Sequence, residues 1–197
     1  MQRQRLFYRH GSTNTMTSTD TDTDSALENL HRCLQEHLSI HQITNPAIIG
    51  IHTGGAWVAA ALAEKMGQYP DQNKRDQDTD QNIPMGSLDI SFYRDDFSRI
   101  GINPEVRPSS IPFEVDEKHI ILVDDVLYTG RTIRAALNEI FDYGRPASVI
   151  LAVLIERNGR QLPISADCVG SCVSLEPRQQ IKLSGPSPLS MEIISTP

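Results

Sequence analysis

Two adjacent acids, Asp124 and Asp125, directly follow the apolar run of residues 120–123. Neighbouring carboxylates repel each other unless something binds them, and a sugar diol or a metal-bound water shell would do so. The turn at residues 129–132, Thr-Gly-Arg-Thr, presents N–H groups and hydroxyls where a helix is predicted to start, and a phosphate can dock there. The acids could instead cap that helix in solvent. The apolar run, the acid pair and the turn together favour a sugar-phosphate site.

The elements that position the acid pair follow from the spacing of apolar residues. A first helix is predicted to begin near Ser25, where Ser25-x-x-Glu28 has the pattern of a capping box. Four leucines at helical spacing give this helix a buried face: Leu27, Leu30, Leu34 and Leu38. Further helices are predicted at residues 56–66 and 131–143, and strands at residues 47–51, 88–93, 120–123 and 147–155.

Strands that are apolar on both faces and alternate with helices indicate one α/β domain, in which helices cover both faces of a mostly parallel sheet. In such sheets ligands bind beyond the carboxyl ends of the strands, which is where the acid pair falls. Residues 1–24 are polar and of low complexity, so we predict a disordered tail there. The domain is predicted at residues 25–187, with an exposed polar insertion loop at residues 71–82 and a C-terminal tail at residues 188–197.

The composition excludes several classes of protein. A net charge of −7 argues against a protein whose whole surface binds nucleic acid. No apolar stretch reaches the roughly 20 residues that cross a bilayer, and residues 1–24 lack the apolar core of a secretory signal. We therefore expect a cytoplasmic protein without membrane association. Cys33, Cys168 and Cys172 are interpreted as buried or functionless thiols. Cys168 and Cys172 are four positions apart, but no second pair of Cys or His lies near them in the sequence to complete a zinc site.

Residues 120–132, with the sequence IILVDDVLYTGRT, resemble the 13-residue motif with which type I phosphoribosyltransferases bind phosphoribosyl pyrophosphate (PRPP). The segments LDISFYRDD (88–96), YGRPAS (143–148) and QLPISAD (161–167) are similar to the PyrR family, whose members regulate pyrimidine operons and act as uracil phosphoribosyltransferases. The similarity spans about residues 26–187. It implies the type I phosphoribosyltransferase fold, a central sheet flanked by helices with a small hood.

The resemblance also implies roles for individual residues. Asp124 and Asp125 would hold the ribose hydroxyls of PRPP and count as catalytic. The remaining PRPP- and UMP-binding residues would be Val126, Leu127, Tyr128, Thr129, Gly130, Arg131 and Thr132, the last four around the 5′-phosphate. A mobile catalytic loop would carry Tyr93, Arg94, Asp95 and Asp96, and the hood over the base would include Ile155, Glu156 and Arg157.

The activity implied by the resemblance is the reaction of uracil with PRPP to give UMP and pyrophosphate. Mg²⁺ would neutralise the diphosphate, touching Asp124 and Asp125 largely through PRPP and water. The family also implies a homo-oligomer, a dimer or higher, that binds operon leader RNA through a basic face. The candidate residues for that face are Lys118, Arg134, Arg145, Arg157, Arg160, Arg178 and Lys182.

One turn departs from the family. His52, Thr53, Gly54 and Gly55 occupy the place of its pyrophosphate loop, and Gly54 stands where a basic residue is usual. Backbone N–H groups could still bind a diphosphate, although the turn could also need glycine only for its dihedral angles. We expect weak use of PRPP, which Gly54→Arg would strengthen. The alternative is a non-catalytic regulatory protein that senses UMP or PRPP. A receiver-type signalling domain is disfavoured because the acid pair comes late in the chain.

Overall fold

The computed structural model describes residues 22–67, 83–90 and 109–195. Along the chain these form α1 (Thr23–Ile40), β1 (Pro46–Ile51), α2 (Gly54–Gly67), β2 (Met85–Leu88), β3 (His119–Leu127), α3 (Arg131–Tyr143), β4 (Ser148–Arg157), β5 (Cys168–Val173), β6 (Gln179–Ser184) and β7 (Ser190–Ser195). The predicted insertion at residues 71–82 lies outside the described residues, as do Tyr93, Arg94, Asp95 and Asp96.

Five strands make one sheet in the order β2-β1-β3-β4-β5, and every neighbouring pair is parallel. The α/β prediction is confirmed. The central strands are buried on both faces because their sequences are apolar throughout, as in residues 120–123 of β3. The segments on either side of residues 91–108 are joined by a pair of 2.8 Å backbone hydrogen bonds between Ser87 and Ser110.

Helices cover the sheet on both sides. One apolar cluster combines α1 and α2 with residues such as Ile121 and Leu154. It contains the predicted stripe of Leu27, Leu30, Leu34 and Leu38, all at most 9% exposed. The second cluster holds α3, through Ile133 and Ile140, against Ile120, Leu122 and Leu151 on the opposite face. Alternate residues of β3 therefore enter opposite cores, which fixes its register against both helical layers.

Three predicted boundaries are wrong, each for a local reason. Helix α1 begins at Thr23, with Asp22 as its N-cap, because the Asp22 carboxylate accepts hydrogen bonds from Asp24 N at 3.1 Å and from Ser25 Oγ. Strand β2 is Met85–Leu88, so it begins three residues before the predicted strand at residues 88–93, of which 91–93 lie outside the described residues. Strand β3 does not end at Val123 but continues to Leu127, since β4 pairs with it over its full length. Aspartate is rare in strands, so the sequence predicted that this strand ends before the acid pair.

The C-terminal part of the chain folds where a tail was predicted. Strands β6 and β7 form a separate antiparallel hairpin from Gln179 to Ser195. Its apolar residues, including Ile181 and Met191, pack on the cluster formed by α1 and α2. The turn contacts α2 closely, because a Cβ atom on Gly185 would lie 2.9 Å from the Trp57 ring. Among the described helices, none is long and apolar enough to cross a membrane.

Candidate active site

The acid pair lies at a topological switch point of the sheet. Strand β1 leads through α2 to β2 on one side, whereas β3 leads through α3 to β4 on the other. The two carboxyl ends therefore diverge, and crevices of this kind are where open α/β sheets bind ligands. The last pairing between β1 and β3 is Gly50 with Val123, so Asp124 and Asp125 extend beyond it into the crevice.

The backbone of β3 orients both carboxylates. Asp124 is 4% exposed, and its Oδ1 accepts a hydrogen bond from Asp125 N at 3.1 Å. Asp125 Oδ1 accepts one from Val126 N at 2.9 Å. Each carboxylate is thus fixed through one oxygen by the next residue of the chain. These bonds fix the direction of each carboxylate at the edge of the crevice, as binding of ribose hydroxyls would require.

The turn at residues 52–55 brings the N-terminus of α2 against the acids. A Cβ atom on Gly54 would overlap Asp125 Oδ2 and lie 2.6 Å from Asp125 Cγ. One on Gly55 would lie 2.6 Å from Val123 O and 2.9 Å from Asp124 Cα. Only glycine permits this approach, and it places the partial positive charge of a helix start beside two carboxylates.

The same turn contains a cis peptide bond between His52 and Thr53. His52 Nδ1 is buried and has no hydrogen-bond partner in the described part of the chain. This ring nitrogen could therefore form a hydrogen bond with a group bound at this edge of the site.

The phosphate-type turn leads directly into α3. Gly130 is the N-cap, with φ of 92°, a left-handed conformation that suits glycine. It has no side chain, so the first N–H groups of α3 receive no acceptor from the cap position. Thr129 Oγ1 accepts from Arg131 N at 3.3 Å. An anion placed here would meet helix N–H groups, hydroxyls and the exposed Arg131.

A cleft of about 640 Å³ opens over these residues. Its walls contain every predicted PRPP-binding residue from Asp124 to Thr132, and Arg157 from the predicted hood. The opposite wall includes Gln161, from the segment that resembles the family at residues 161–167, and four residues that the sequence did not predict: Pro177, Gln179, Gln180 and Ile181. The alternation of Ile181 and Leu183 before a Gly-Pro turn was the sequence signal for the β6–β7 hairpin that carries three of them.

Comparison with known proteins decides the family. The profile described as a phosphoribosyl transferase domain matches residues 21–185. A protein of Nitrosococcus oceani named bifunctional protein PyrR is 54% identical over 165 residues, covering 84% of this chain and 87% of the relative. A bifunctional protein PyrR of Pseudomonas aeruginosa strain LESB58 is 52% identical over 159 residues, with 81% and 86% covered. The chain belongs to the PyrR family of phosphoribosyltransferases.

Solved structures show the same fold. A hypoxanthine-guanine-xanthine phosphoribosyltransferase aligns with a TM-score of 0.52 at 16% identity, over 77% of this chain and 76% of its own. A purine phosphoribosyltransferase from Pyrococcus horikoshii aligns with a TM-score of 0.51 at 21% identity, over 80% and 84%. The predicted type I phosphoribosyltransferase fold is confirmed.

The predicted hood residues of this PyrR-family chain separate in the structure. Arg157 enters the cleft and is 8% exposed. Its guanidinium lies 4.1 Å from the centre of the Tyr128 ring, and its Nη1 donates to Gln179 O at 3.0 Å. Ile155 is instead fully buried in the core. Glu156 lies beside the cleft, in a salt bridge with Arg160 at 2.6 Å.

Cys33 and Cys168 contact each other, Cys172 lies farther along β5, and all three are free thiols. A hydrogen bond from the Cys168 thiol lowers the pKa of Cys33 to about 7, while that same contact and burial raise the pKa of Cys168. Burial also raises the pKa of Cys172. In residues 22–67, 83–90 and 109–195, no three His, Cys, Asp or Glu side chains form a group that could hold a metal ion.

Proposed function

We propose that this chain transfers ribose 5-phosphate from PRPP to N1 of uracil, forming UMP and pyrophosphate, and that it regulates pyrimidine genes in response to UMP. The observation that carries the proposal is the cleft that Asp124 and Asp125 share with the start of α3, where Gly54 and Gly55 bring the start of α2 against the same acids. Membership of the PyrR family supplies the choice of base and the regulatory role.

Different residues of the cleft would bind the ribose and the 5′-phosphate of PRPP. Asp124 and Asp125 would accept hydrogen bonds from the 2′- and 3′-hydroxyls of the ribose. Thr129, Gly130 and Thr132 would surround the 5′-phosphate at the start of α3. The reaction centre, C1′, becomes oxocarbenium-like as pyrophosphate leaves, so the protein mainly holds the two reactants in line and excludes water. Tyr93, Arg94, Asp95 and Asp96 remain assigned to the loop that would cover the site.

The leaving pyrophosphate would meet the turn at residues 52–55. The first N–H groups of α2 and the imidazole of His52 are the donors that this turn can offer. Asp125 faces the same turn through its contact with Gly54. The loop thus binds a diphosphate with backbone groups where a basic side chain is usual in the family, which is why we expect weak affinity.

The residues present fit a Mg²⁺ ion held mainly by substrate and water. Each member of the acid pair has one oxygen engaged by a backbone N–H group. Mg²⁺ is commonly bound through one or two carboxylates plus substrate phosphates rather than by a full protein cage. When bound, the ion would neutralise charge on the diphosphate. Asp124 and Asp125 would orient the hydroxyls and waters around it.

Regulation through operon leader RNA is proposed on a narrower set of basic residues than the sequence suggested. Arg157 is buried, so it cannot face RNA. Arg160 and Lys182 are paired with Glu156 and Glu192. Arg134, Arg145 and Arg178 are exposed, and Lys118 is half-buried, so these four remain candidates. A gel shift with leader RNA, with and without UMP and against an unrelated transcript, tests this role. We also propose a homo-oligomer, a dimer or higher, located in the cytoplasm.

The catalytic proposal is tested by assaying radiolabelled uracil, orotate, hypoxanthine and guanine with PRPP and Mg²⁺. We expect conversion of uracil alone. Conversion of a purine but not uracil would contradict the base assignment and leave the phosphoribosyltransferase fold untouched. Binding of UMP without conversion of any base would favour a non-catalytic sensor, the alternative that the missing basic residue at Gly54 supports.

A further inference from the structure

Tyr128 joins two parts of the cleft that belong to different segments of the chain. It follows the last residue of β3 and precedes the phosphate-type turn. Its ring lies below the Arg157 guanidinium, 4.1 Å from the centroid. It also contacts the backbone of Gly159, whose φ is 109° and whose added Cβ would lie 3.2 Å from Tyr128 Cδ2 and overlap Cε2. A side chain at position 159 would therefore displace the ring.

Hydrogen bonds to main-chain atoms also connect the same two segments of the chain. Tyr128 O accepts a hydrogen bond from Arg160 Nη1. Thr129 O accepts from the N–H groups of Gln161 at 3.1 Å and Leu162 at 3.0 Å. The Gln161 side chain in turn accepts from Arg131 Nε at 3.1 Å. Residues 157–162, which we name the strap, are thus attached to Tyr128 and to two residues of the phosphate-type turn, Thr129 and Arg131.

The strap is also attached to the segment between β5 and β6 and to the first residue of the hairpin. Asn158 Nδ2 donates to Leu175 O at 3.1 Å, and Leu175 N donates to Asn158 Oδ1 at 2.9 Å. Arg157 Nη1 donates to Gln179 O at 3.0 Å. A continuous set of contacts therefore leads from the turn at residues 129–132 through Tyr128 and the strap to the opposite wall.

Tyr128 does not have the surroundings of an ordinary core residue. It is 43% exposed at the cleft, and the contacts described for its ring come from Arg157 and Gly159. A cation above an aromatic face is held in place more strongly than by dispersion alone. We propose that Tyr128 is a positioning residue that couples the two ends of the cleft: a ligand that orders the phosphate-type turn also orders the strap. The inference rests on the proposed sugar-phosphate site.

Hydrogen exchange in the presence of ribose 5-phosphate tests the coupling. This ligand lacks a base, so it has no group that would contact the strap directly. In the unaltered full chain, we expect it to slow exchange at residues 129–132 and also in the strap, by about fivefold or more. Tyr128→Phe keeps the ring under Arg157 and should behave in the same way. At saturating ribose 5-phosphate, Tyr128→Leu should lose most of the slowing at residues 157–159, where the ring makes its contacts. Residues 160–162 remain attached through the hydrogen bonds of Tyr128 O and Thr129 O.

A second variant guards against misfolding of Tyr128→Leu. Gly159→Ala leaves the tyrosine in place but inserts a methyl group against its ring, and it should also uncouple the strap. Slowing of exchange at residues 157–159 to the same extent in Tyr128→Leu and Gly159→Ala as in the unaltered chain would overturn the inference and leave the proposed function standing. Failure of ribose 5-phosphate to slow exchange at residues 129–132 of the unaltered chain would overturn both.

Discussion

A Cβ atom on Gly54 would lie 2.6 Å from Asp125 Cγ, inside van der Waals contact. The glycine of the pyrophosphate turn and the second acid of the PRPP motif therefore occupy adjoining space. This relationship reverses the expectation that Gly54→Arg would strengthen PRPP use. Any side chain at this position must first move the carboxylate that is proposed to hold the ribose.

The first prediction follows from that contact. Gly54→Ala and Gly54→Arg should both weaken PRPP binding by about tenfold or more, the loss expected when a charge-assisted hydrogen bond of ~1.5–3 kcal/mol is disturbed. Calorimetric titration of PRPP with Mg²⁺ measures the change. Gly67→Ala is the matched control, because it lies at the other end of α2 and its added Cβ would meet nothing within 4 Å. Stronger binding by Gly54→Arg would show that Asp125 can move at little cost.

A second prediction concerns the acid pair. Asp124→Asn and Asp125→Asn each keep the side-chain shape but remove a charged acceptor, so each should weaken UMP binding by about tenfold to a hundredfold. Asp142→Asn on the exposed side of α3 is the control and should bind UMP normally. If the double variant Asp124→Asn/Asp125→Asn held UMP as tightly as the unaltered chain, the proposed ribose site would be wrong.

A third prediction addresses the wall opposite the PRPP motif. Asn158→Ala removes two hydrogen bonds to Leu175, at 3.1 Å and 2.9 Å. Each contributes about 1 kcal/mol net, so the free energy of unfolding should fall by roughly 2 kcal/mol. Urea unfolding measures this loss. Asn138→Ala, on the exposed side of α3, should change stability by no more than about 0.5 kcal/mol.

A fourth prediction is a pH dependence at α1. The Cys168 thiol lowers the pKa of Cys33 from an ordinary value of 9.0 to about 7, so the reactive thiolate should form as the pH rises through 7. Alkylation by iodoacetamide, mapped by mass spectrometry, should have its midpoint there. Cys168→Ala removes the donor and should move the midpoint up toward 9.0. Cys172, with a raised pKa, is the internal control and should react only at higher pH.

The parts of the fold that are encoded locally could be predicted from the sequence. The leucine stripe of α1, the bounds of α3 and the parallel sheet follow from periodicity and from Gly144 after Tyr143. The extension of β3 through Asp124 and Asp125 could not be predicted, because it depends on pairing with β4, which lies farther along the chain. Tertiary pairing here overrides the low strand preference of aspartate.

The candidate site divides in the same manner. The motif at residues 120–132 is contiguous, so its residues could be named in advance. The opposite wall is assembled from Arg157, Gln161 and the β6–β7 hairpin, which come together only in three dimensions. The contact between Gly54 and Asp125 joins residues 71 positions apart, and no local pattern signals it. From the sequence, Gly54 lacks the basic side chain that is usual in the family. In the structure, the space that such a side chain would need is occupied by Asp125.

Helix α1 packs against β5, the edge strand of the large sheet. A Cβ atom on Gly170 of β5 would overlap Ala26 O, so α1 and β5 fit together with no room for a side chain. During synthesis α1 leaves the ribosome long before β5. Until residue 173 has emerged, the leucines of α1 lack the strand β5 that covers them in the folded protein. We therefore expect the nascent chain to stay dependent on chaperones until late, and any product truncated ahead of β5 to aggregate rather than fold in part.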